Sequence, residues 1–157
     1  MRKLKNTLVY LSLFIVGVLI GGYLFSQSQP RSILSISRCQ DCLSYKDLAG
    51  LLASVGFNRF PNLIPFVVFE TDKTIAIKNP FTKAADYVIF PKKDIKNIGE
   101  YSGEYAAYLN DAYLVARKLI EENKSPNYQF FTNGPGFQDA TYLHFHLHYE
   151  SKHQKRL

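Results

Sequence analysis

Residues 143–149 read Leu-His-Phe-His-Leu-His-Tyr, and this stretch carries three of the four histidines of the chain. Successive side chains of a β-strand point to opposite faces of the sheet, so the three histidines are predicted to share one face. They would follow one another at about 6.6 Å, while Phe145, Leu147 and Tyr149 point into a core. A titratable row backed by an apolar row indicates a functional strand.

The histidine triplet consists of His144, His146 and His148. Imidazole titrates near neutral pH and serves as a nucleophile, a proton carrier or a metal ligand. Three interpretations are open: phosphoryl chemistry, metal binding by the triplet itself, and three solvated histidines on an exposed strand. Phosphoryl chemistry is favoured.

The sequence around the triplet predicts an α+β domain with an antiparallel sheet. Apolar residues recur at intervals of three and four between Tyr45 and Phe57, which predicts a short helix that ends at Gly56. A second apolar stripe predicts a long helix from about Ile98 to Asn123. The predicted capping residue of the long helix is Asn97, and the predicted stop is Pro126. Strands are predicted at 66–70, 74–78, 86–90, 128–132 and 142–149, with a hairpin turn at 71–73.

The N-terminal part of the sequence has the pattern of a membrane anchor. Residues 7–26 carry no charge, and a helix of about 20 residues spans the hydrocarbon core of a bilayer. The basic residues in 1–6 predict that this end stays cytoplasmic and that the following domain is exported. A cleaved signal peptide is the alternative, although its apolar region is normally shorter. Residues 27–38 read as a linker, 39–150 as the folded domain and 151–157 as a basic tail.

The distribution of charge argues against a nucleic-acid partner. The 157-residue chain has a formal net charge of +6, but six of its basic residues lie at the two ends. The remaining 13 basic residues equal the 13 acidic ones. The body of the protein therefore lacks the broad positive surface that binds a phosphate backbone.

The pattern of the triplet resembles that of the histidine triad superfamily of nucleotide hydrolases and transferases. Its signature alternates histidines with apolar residues, as residues 144–149 do. The segment 87–93, Tyr-Val-Ile-Phe-Pro-Lys-Lys, looks like the family strand that ends in Pro-Lys. Asn133 stands eleven residues before His144, as a family asparagine does, and Thr141 falls where the family has Ser or Thr. The resemblance covers about residues 39–150.

This resemblance implies a sheet of about five strands with one long and one short helix, and a specific mechanism. His146 would attack the α-phosphate of a nucleotide substrate and form a phosphohistidyl intermediate, without a required cofactor. His144 and His148 would flank the nucleophile. Asn133 would bind a phosphate oxygen, and Thr141 would donate a hydrogen bond to the leaving group. A homodimer is compatible with the resemblance.

The sequence departs from the family pattern at three positions. Asp86 stands where many members have a histidine oriented toward the triad, although a carboxylate can also orient an imidazole through its Nδ1–H. Asn79 stands near the acidic residue that grips the ribose hydroxyls, and Glu150 takes the last apolar position. A membrane-anchored branch of the superfamily, the CDP-diacylglycerol pyrophosphatases, shares the layout of this chain and is the alternative assignment. Two further alternatives are a non-catalytic metal-binding module and an inactive ligand-binding domain.

Cys39 and Cys42 have the spacing of a redox pair, a local disulfide or half of a zinc site. Some members of the superfamily hold a structural zinc with such a pair, and the corresponding further ligands here would be Asp94 and His144. Carboxylates do bind zinc. A disulfide is the competing state outside the cytoplasm.

Overall fold

The structure is a computed structural model that describes residues 2–26, 45–80 and 86–149. The chain divides into two units. The first contains helix α1, Arg2–Ser26, which includes the helix predicted over 7–26. The side chains described in α1 are those of residues 6–21, and the apolar ones between Leu8 and Ile20 are exposed on all sides. Within the described part of the chain, no helix has the length and apolar character needed to cross a membrane.

The second unit is an antiparallel five-stranded sheet with two helices, which confirms the α+β prediction. The sheet order is β1-β2-β3-β5-β4. The strands are β1 (Val67–Glu70), β2 (Thr74–Lys78), β3 (Tyr87–Pro91), β4 (Tyr128–Phe131) and β5 (Phe145–Tyr149). The helices are α2 (Tyr45–Arg59) and α3 (Ala106–Asn123). Strand β5 carries the triplet and is paired on both sides, to β3 and to β4.

One face of the sheet packs against α3 and forms the main core. The strand residues that point to this face include Ile89, Phe145 and Leu147, each at most 3% exposed. They pack against the buried stripe of α3, which consists of Ala112, Val115, Ala116 and Leu119. Burying one such aliphatic side chain stabilises a fold by about 1.5–3 kcal/mol. The apolar residues that alternate with the histidines therefore hold β5 in place.

The opposite face of the sheet is covered only in part, by α2. Phe57 of α2 packs with Ile75 and Tyr142 in a second buried cluster, and the hydroxyl of Tyr142 donates to the carbonyl of Pro91 at 2.7 Å. Because residues 75 and 77 alternate with the buried Ala76, this cluster lies on the face that also carries the histidines. Helix α2 therefore borders the triplet.

The predicted inward face of α2 is only partly right. The apolar stripe of α2 comprises Leu48, Leu51, Leu52 and Val55, and Val55 is buried whereas Leu48 and Leu52 are 57% and 56% exposed. The helix also buries Gly50, Ser54 and Phe57, so its inward face is shifted away from the leucines toward these residues. The helix also continues past Gly56 to Arg59.

The long helix begins later than predicted. Two single turns of 3₁₀ helix, Ile98–Glu100 and Gly103–Tyr105, precede α3. Asn97 does act as a cap, since its side chain accepts from the backbone N–H of Gly99 at 2.8 Å, but it caps the first short turn. Tyr101 and Ser102 are extended, so the chain changes direction before α3 starts.

Candidate functional site

The alternation predicted for the triplet is confirmed. Phe145, Leu147 and Tyr149 are buried against α3, whereas His146 and His148 are half-buried on the other face. His144 lies one residue before β5 and is 8% exposed. The ring centroids of His144 and His146 are 4.9 Å apart, and those of His146 and His148 are 5.8 Å apart. The three imidazoles therefore form one continuous row.

An aromatic side chain that the sequence did not single out lies against this row. Phe131 is paired with His146 between β4 and β5, and directly paired residues share a face of the sheet. Its ring centroid is 5.1 Å from that of His146 and 5.4 Å from that of His148, with tilts of 20° and 15°. The two imidazoles are themselves within 7° of parallel. Three nearly parallel rings thus lie side by side at the site.

Asp86 contacts the triad, as its position in the sequence predicted. Its carboxylate is 6% exposed, and its Oδ1 lies 2.9 Å from Nδ1 of His148. At this distance the two groups form an ion pair when His148 is protonated. No well-aligned hydrogen bond from the described residues reaches that oxygen, so the contact holds the ring by charge and proximity. The carboxylate therefore lies beside His148, the histidine next to the predicted nucleophile.

His144 is held by backbone groups. Its Nδ1 lies 2.7 Å from the carbonyl oxygen of Tyr142. Because a carbonyl only accepts, we assign the proton of the neutral ring to Nδ1. The hydroxyl of Thr132 donates to the carbonyl of His144 at 2.7 Å, which ties the end of β4 to the start of β5. The first histidine is therefore fixed in both position and tautomer.

His146 has the electrostatic state that a nucleophile needs. Burial, reinforced by the neighbouring His144 and His148, lowers the pKa of His146 from 6.5 to about 4. The nearby carboxylates of Asp139 and Asp86 act in the opposite direction and only offset part of this. The ring is therefore neutral at physiological pH. Its Nε2 is buried and has no hydrogen-bond partner among the described residues, so none of these residues engages the nitrogen.

Thr141, predicted to act on the leaving group, is bound to helix α2. Its hydroxyl donates to Oδ1 of Asp47 at 2.7 Å, and its backbone N–H donates to the carbonyl of Lys46 at 3.1 Å. A hydroxyl has a single proton to donate. Donation to a leaving group would therefore require the bond to Asp47 to break, and the catalytic role of Thr141 stays a prediction.

The two predicted substrate-binding asparagines lie at opposite edges of the site. Asn133 stands two residues beyond Phe131, at the start of the loop that leads to β5, and is half-buried. Asn79 follows β2, and its backbone N–H donates to the carbonyl of Asp86 at 2.8 Å. The chain thus places Asn133 after the aromatic edge of the row and Asn79 beside its carboxylate.

The predicted zinc site is only partly within the described residues. Cys39 and Cys42 lie outside them. Asp94 and His144 are both buried, and a backbone hydrogen bond of 2.6 Å from Leu143 to Ile95 brings their two segments together. Within residues 45–80 and 86–149, no cluster of three or more His, Cys, Asp or Glu side chains is arranged to hold a metal ion.

Comparison with known proteins identifies a family for this chain. Residues 62–157 match the family described as scavenger mRNA decapping enzyme C-terminal binding, which extends over more than half of the chain. The chain belongs to this family and to the histidine triad superfamily. No curated protein matches it.

Solved structures of histidine triad proteins share the fold. The HIT family hydrolase from Legionella pneumophila Philadelphia 1 is 27% identical, with a TM-score of 0.51, and the match covers 55% of this chain and 83% of that one. The HIT family hydrolase from Clostridium thermocellum is 23% identical, with a TM-score of 0.55 and coverages of 70% and 95%. A histidine triad nucleotide-binding protein from Candida albicans is 26% identical, with a TM-score of 0.50 and coverages of 59% and 71%.

Two side chains of the site were missed from the sequence. The position of Phe131 beside His146 follows only from the register between β4 and β5, and the family motif at this place includes Asn133 but not Phe131. Asp139 acts on His146 electrostatically from the loop between β4 and β5, where an exposed carboxylate carries no pattern of its own. Both residues belong to the surroundings of His146 that the fold assembles.

Proposed function

We propose that this protein is a nucleotide phosphohydrolase or nucleotidyl transferase in which His146 is the nucleophile. The observation that carries the proposal is the state of His146: a neutral imidazole at physiological pH, within a row of three, whose Nε2 receives no hydrogen bond from the described residues. The Legionella pneumophila protein with the same fold is a hydrolase, which supports the reaction class. The Candida albicans protein is a nucleotide-binding protein, which supports a nucleotide substrate.

The proposed reaction has two displacements at one phosphorus atom. Nε2 of His146 forms a bond to the α-phosphorus of the substrate, and the bond from phosphorus to the leaving group breaks. The leaving group takes a proton from solvent. Water or a second acceptor then attacks the same phosphorus and releases its proton to solvent, and the bond from phosphorus to Nε2 breaks. A covalent route of this kind divides one difficult step into two easier ones. In this scheme His144 and His148 contact phosphate oxygens and hold the orientation of the His146 ring. The scheme uses no resident metal.

Incubation of the full chain with a panel of substrates tests this proposal. The panel comprises aminoacyl adenylates, nucleoside phosphoramidates, dinucleoside polyphosphates and CDP-diacylglycerol. Turnover of a nucleotide phosphoramidate or phosphoanhydride supports the proposal, and preference for CDP-diacylglycerol moves the protein to the lipid-nucleotide branch. Absence of turnover over the whole panel, with ligand binding retained, would instead support an inactive binding domain.

The pH dependence of the reaction provides a further prediction. Because the pKa of His146 is lowered to about 4, protonation of the nucleophile should reduce kcat/KM only near that pH. The unfolded chain binds this proton at 6.5, so the contribution of His146 to stability is present above pH 6.5 and is lost as the pH falls through 4. Measurements of kcat/KM from neutral to acid pH would show the fall in rate near pH 4. A nucleophile limb centred near pH 6.5 would contradict the assignment.

We also propose that a helix over residues 7–26, which extends beyond the described side chains 6–21, anchors the domain in a membrane, with the catalytic domain outside the cytoplasm. The support is the uncharged run 7–26 and the basic residues before it. In helix α1, moreover, the apolar side chains between Leu8 and Ile20 are exposed, and exposed apolar surface of this extent favours contact with lipid.

A reporter enzyme fused after Leu157 should therefore be active only outside the cytoplasm. A matched control carries acidic residues in place of Arg2, Lys3 and Lys5, which removes the positive charge that orients the helix. The control should lose part of the external signal. A reporter active in the cytoplasm of the unchanged fusion would overturn the orientation.

The structural zinc and the homodimer remain proposals. For zinc, the set Cys39, Cys42, Asp94 and His144 would bind one ion per chain, and elemental analysis together with thiol titration measures it. A disulfide between the two cysteines would leave no metal and no free thiol.

A further inference from the structure

The ring of Phe131 lies on the two imidazoles at the centre of the site. We propose that Phe131 is a positioning residue whose ring sets the orientation of the His146 and His148 imidazoles. The expected effect of Phe131 on the reaction rate rests on the proposed function. The expected effect of Phe131 on the orientation of the two imidazoles does not. The proposal stands on the register of the sheet, on the ring distances and on the scarcity of hydrogen bonds from the described residues to these rings.

The register fixes where the ring lies. Phe131 is the last residue of β4 and is paired with His146, so the backbone hydrogen bonds of two strands hold the ring opposite the nucleophile. The centroid distances are 5.1 Å and 5.4 Å, and both imidazoles are tilted by at most 20° from the phenyl plane. One side chain therefore contacts both histidines in the same way.

Hydrogen bonds from the described residues do little to restrain these rings. Rotation of an imidazole about its Cβ–Cγ bond is soft, and Nε2 of His146 has no hydrogen-bond partner in the described part of the chain. His148 is restrained at Nδ1 by Asp86, but without a well-aligned hydrogen bond from the described residues. The ring of His144 contacts that of His146, and among the described side chains outside the triplet it is the ring of Phe131 that packs on both His146 and His148.

Ring orientation matters because the lone pair of an imidazole nitrogen lies in the ring plane. Rotating His146 would turn Nε2 away from the line of attack on phosphorus, and small errors of this kind cost a large part of the rate. The face of an aromatic ring suits the task because it packs on both imidazoles and presents no hydrogen-bonding group to Nε2. It holds the nucleophile and leaves its lone pair available.

The test compares Phe131→Leu with Phe130→Leu in the full chain. Leucine keeps an apolar side chain at position 131 but removes the planar surface. We expect kcat to fall about 10- to 100-fold with KM changed less than about threefold. Phe130 is the neighbouring residue on the opposite face, stacked on Phe145 at 5.2 Å. Phe130→Leu should therefore lower stability while leaving kcat near that of the wild type.

Nuclear magnetic resonance of the histidine Cε1–H groups gives a readout independent of activity. Because the ring-current shift is lost in any case, the readout is the pattern of nuclear Overhauser contacts from each Cε1–H to the neighbouring side chains. This pattern should change for His146 and His148, whose rings reorient, and stay nearly the same for His144.

Phe131→Tyr keeps the ring and covers the case in which the leucine variant fails to fold. It should retain the nuclear Overhauser contacts of both histidines and keep kcat within about threefold of the wild type. The proposal is overturned if Phe131→Leu leaves the nuclear Overhauser contacts of His146 and His148 and kcat unchanged, or if the folded tyrosine variant loses both. If no substrate of the panel is turned over even by the wild type, the proposed function fails, and the nuclear Overhauser contacts alone still decide the positioning role.

Discussion

Replacement of His146 by alanine should abolish turnover while leaving substrate binding largely intact. The substitution removes the atom that forms the new bond to phosphorus, whereas binding relies on the other groups of the site. Loss of a nucleophile typically costs several powers of ten in rate, or about 5 kcal/mol or more of transition-state stabilisation. Steady-state kinetics on the substrate accepted by the wild type, together with a direct binding measurement, would separate the two effects.

The flanking histidines provide the matched comparison for this substitution. His144→Ala and His148→Ala should each lose less activity, because these side chains supply contacts and orientation rather than the bond itself. Labelled phosphate should be trapped on the wild type and not on His146→Ala. Wild-type turnover by the His146→Ala protein would show that the nucleophile has been assigned wrongly.

Replacement of Asp86 by alanine should lower the rate by about 10- to 1000-fold, as expected for the loss of an orienting contact. The reason is the 2.9 Å contact between Oδ1 of Asp86 and Nδ1 of His148. Without it, His148 loses the charged neighbour that holds its ring beside His146. Kinetics on the same substrate measure the effect, and unfolding curves exclude a general loss of structure.

Two companion variants sharpen the interpretation of Asp86. Asp86→His restores the residue type found at this place in many histidine triad proteins, and it should keep activity. Asp139→Ala removes a second carboxylate that acts on His146 but is exposed, so it should have the smaller effect. If Asp86→Ala were as active as the wild type, the orienting role would be lost and His148 would be held by its ring contacts alone.

The parts of the fold that could be predicted from the sequence are those set by local pattern. The alternation in 143–149 placed the histidines on one face because the period of a strand is fixed by its backbone. The strand predicted over 86–90 is found as Tyr87–Pro91, and it ends at Pro91 because proline lacks the N–H that would continue a central ladder. The resemblance placed Asp86 near the triad, and the structure brings its carboxylate to His148.

The parts that could not be predicted depend on packing between distant segments. The apolar stripe that begins at Ile98 has helical spacing, yet Gly99 and Gly103 have low helix propensity and the chain forms two separate turns there. The inward face of α2 includes Gly50 and Ser54, and the apolar pattern of the sequence does not mark these small residues as buried. The contact of Phe131 with His146 depends on strand register across a long loop, and no single segment encodes it.

The central position of β5 in the sheet has a consequence for how this site can change during a reaction cycle. Because hydrogen-bonded partners flank the strand on both sides, a displacement of the backbone under His146 would have to separate two strand pairs at once. Slow, collective motion of the nucleophile is therefore suppressed, and only rotation of side chains and movement of loops are left to admit a substrate to the buried Nε2. The loops that border the site would then determine which substrates bind. Relatives could differ in these loops and in their substrates while the reaction at the nucleophile stays the same.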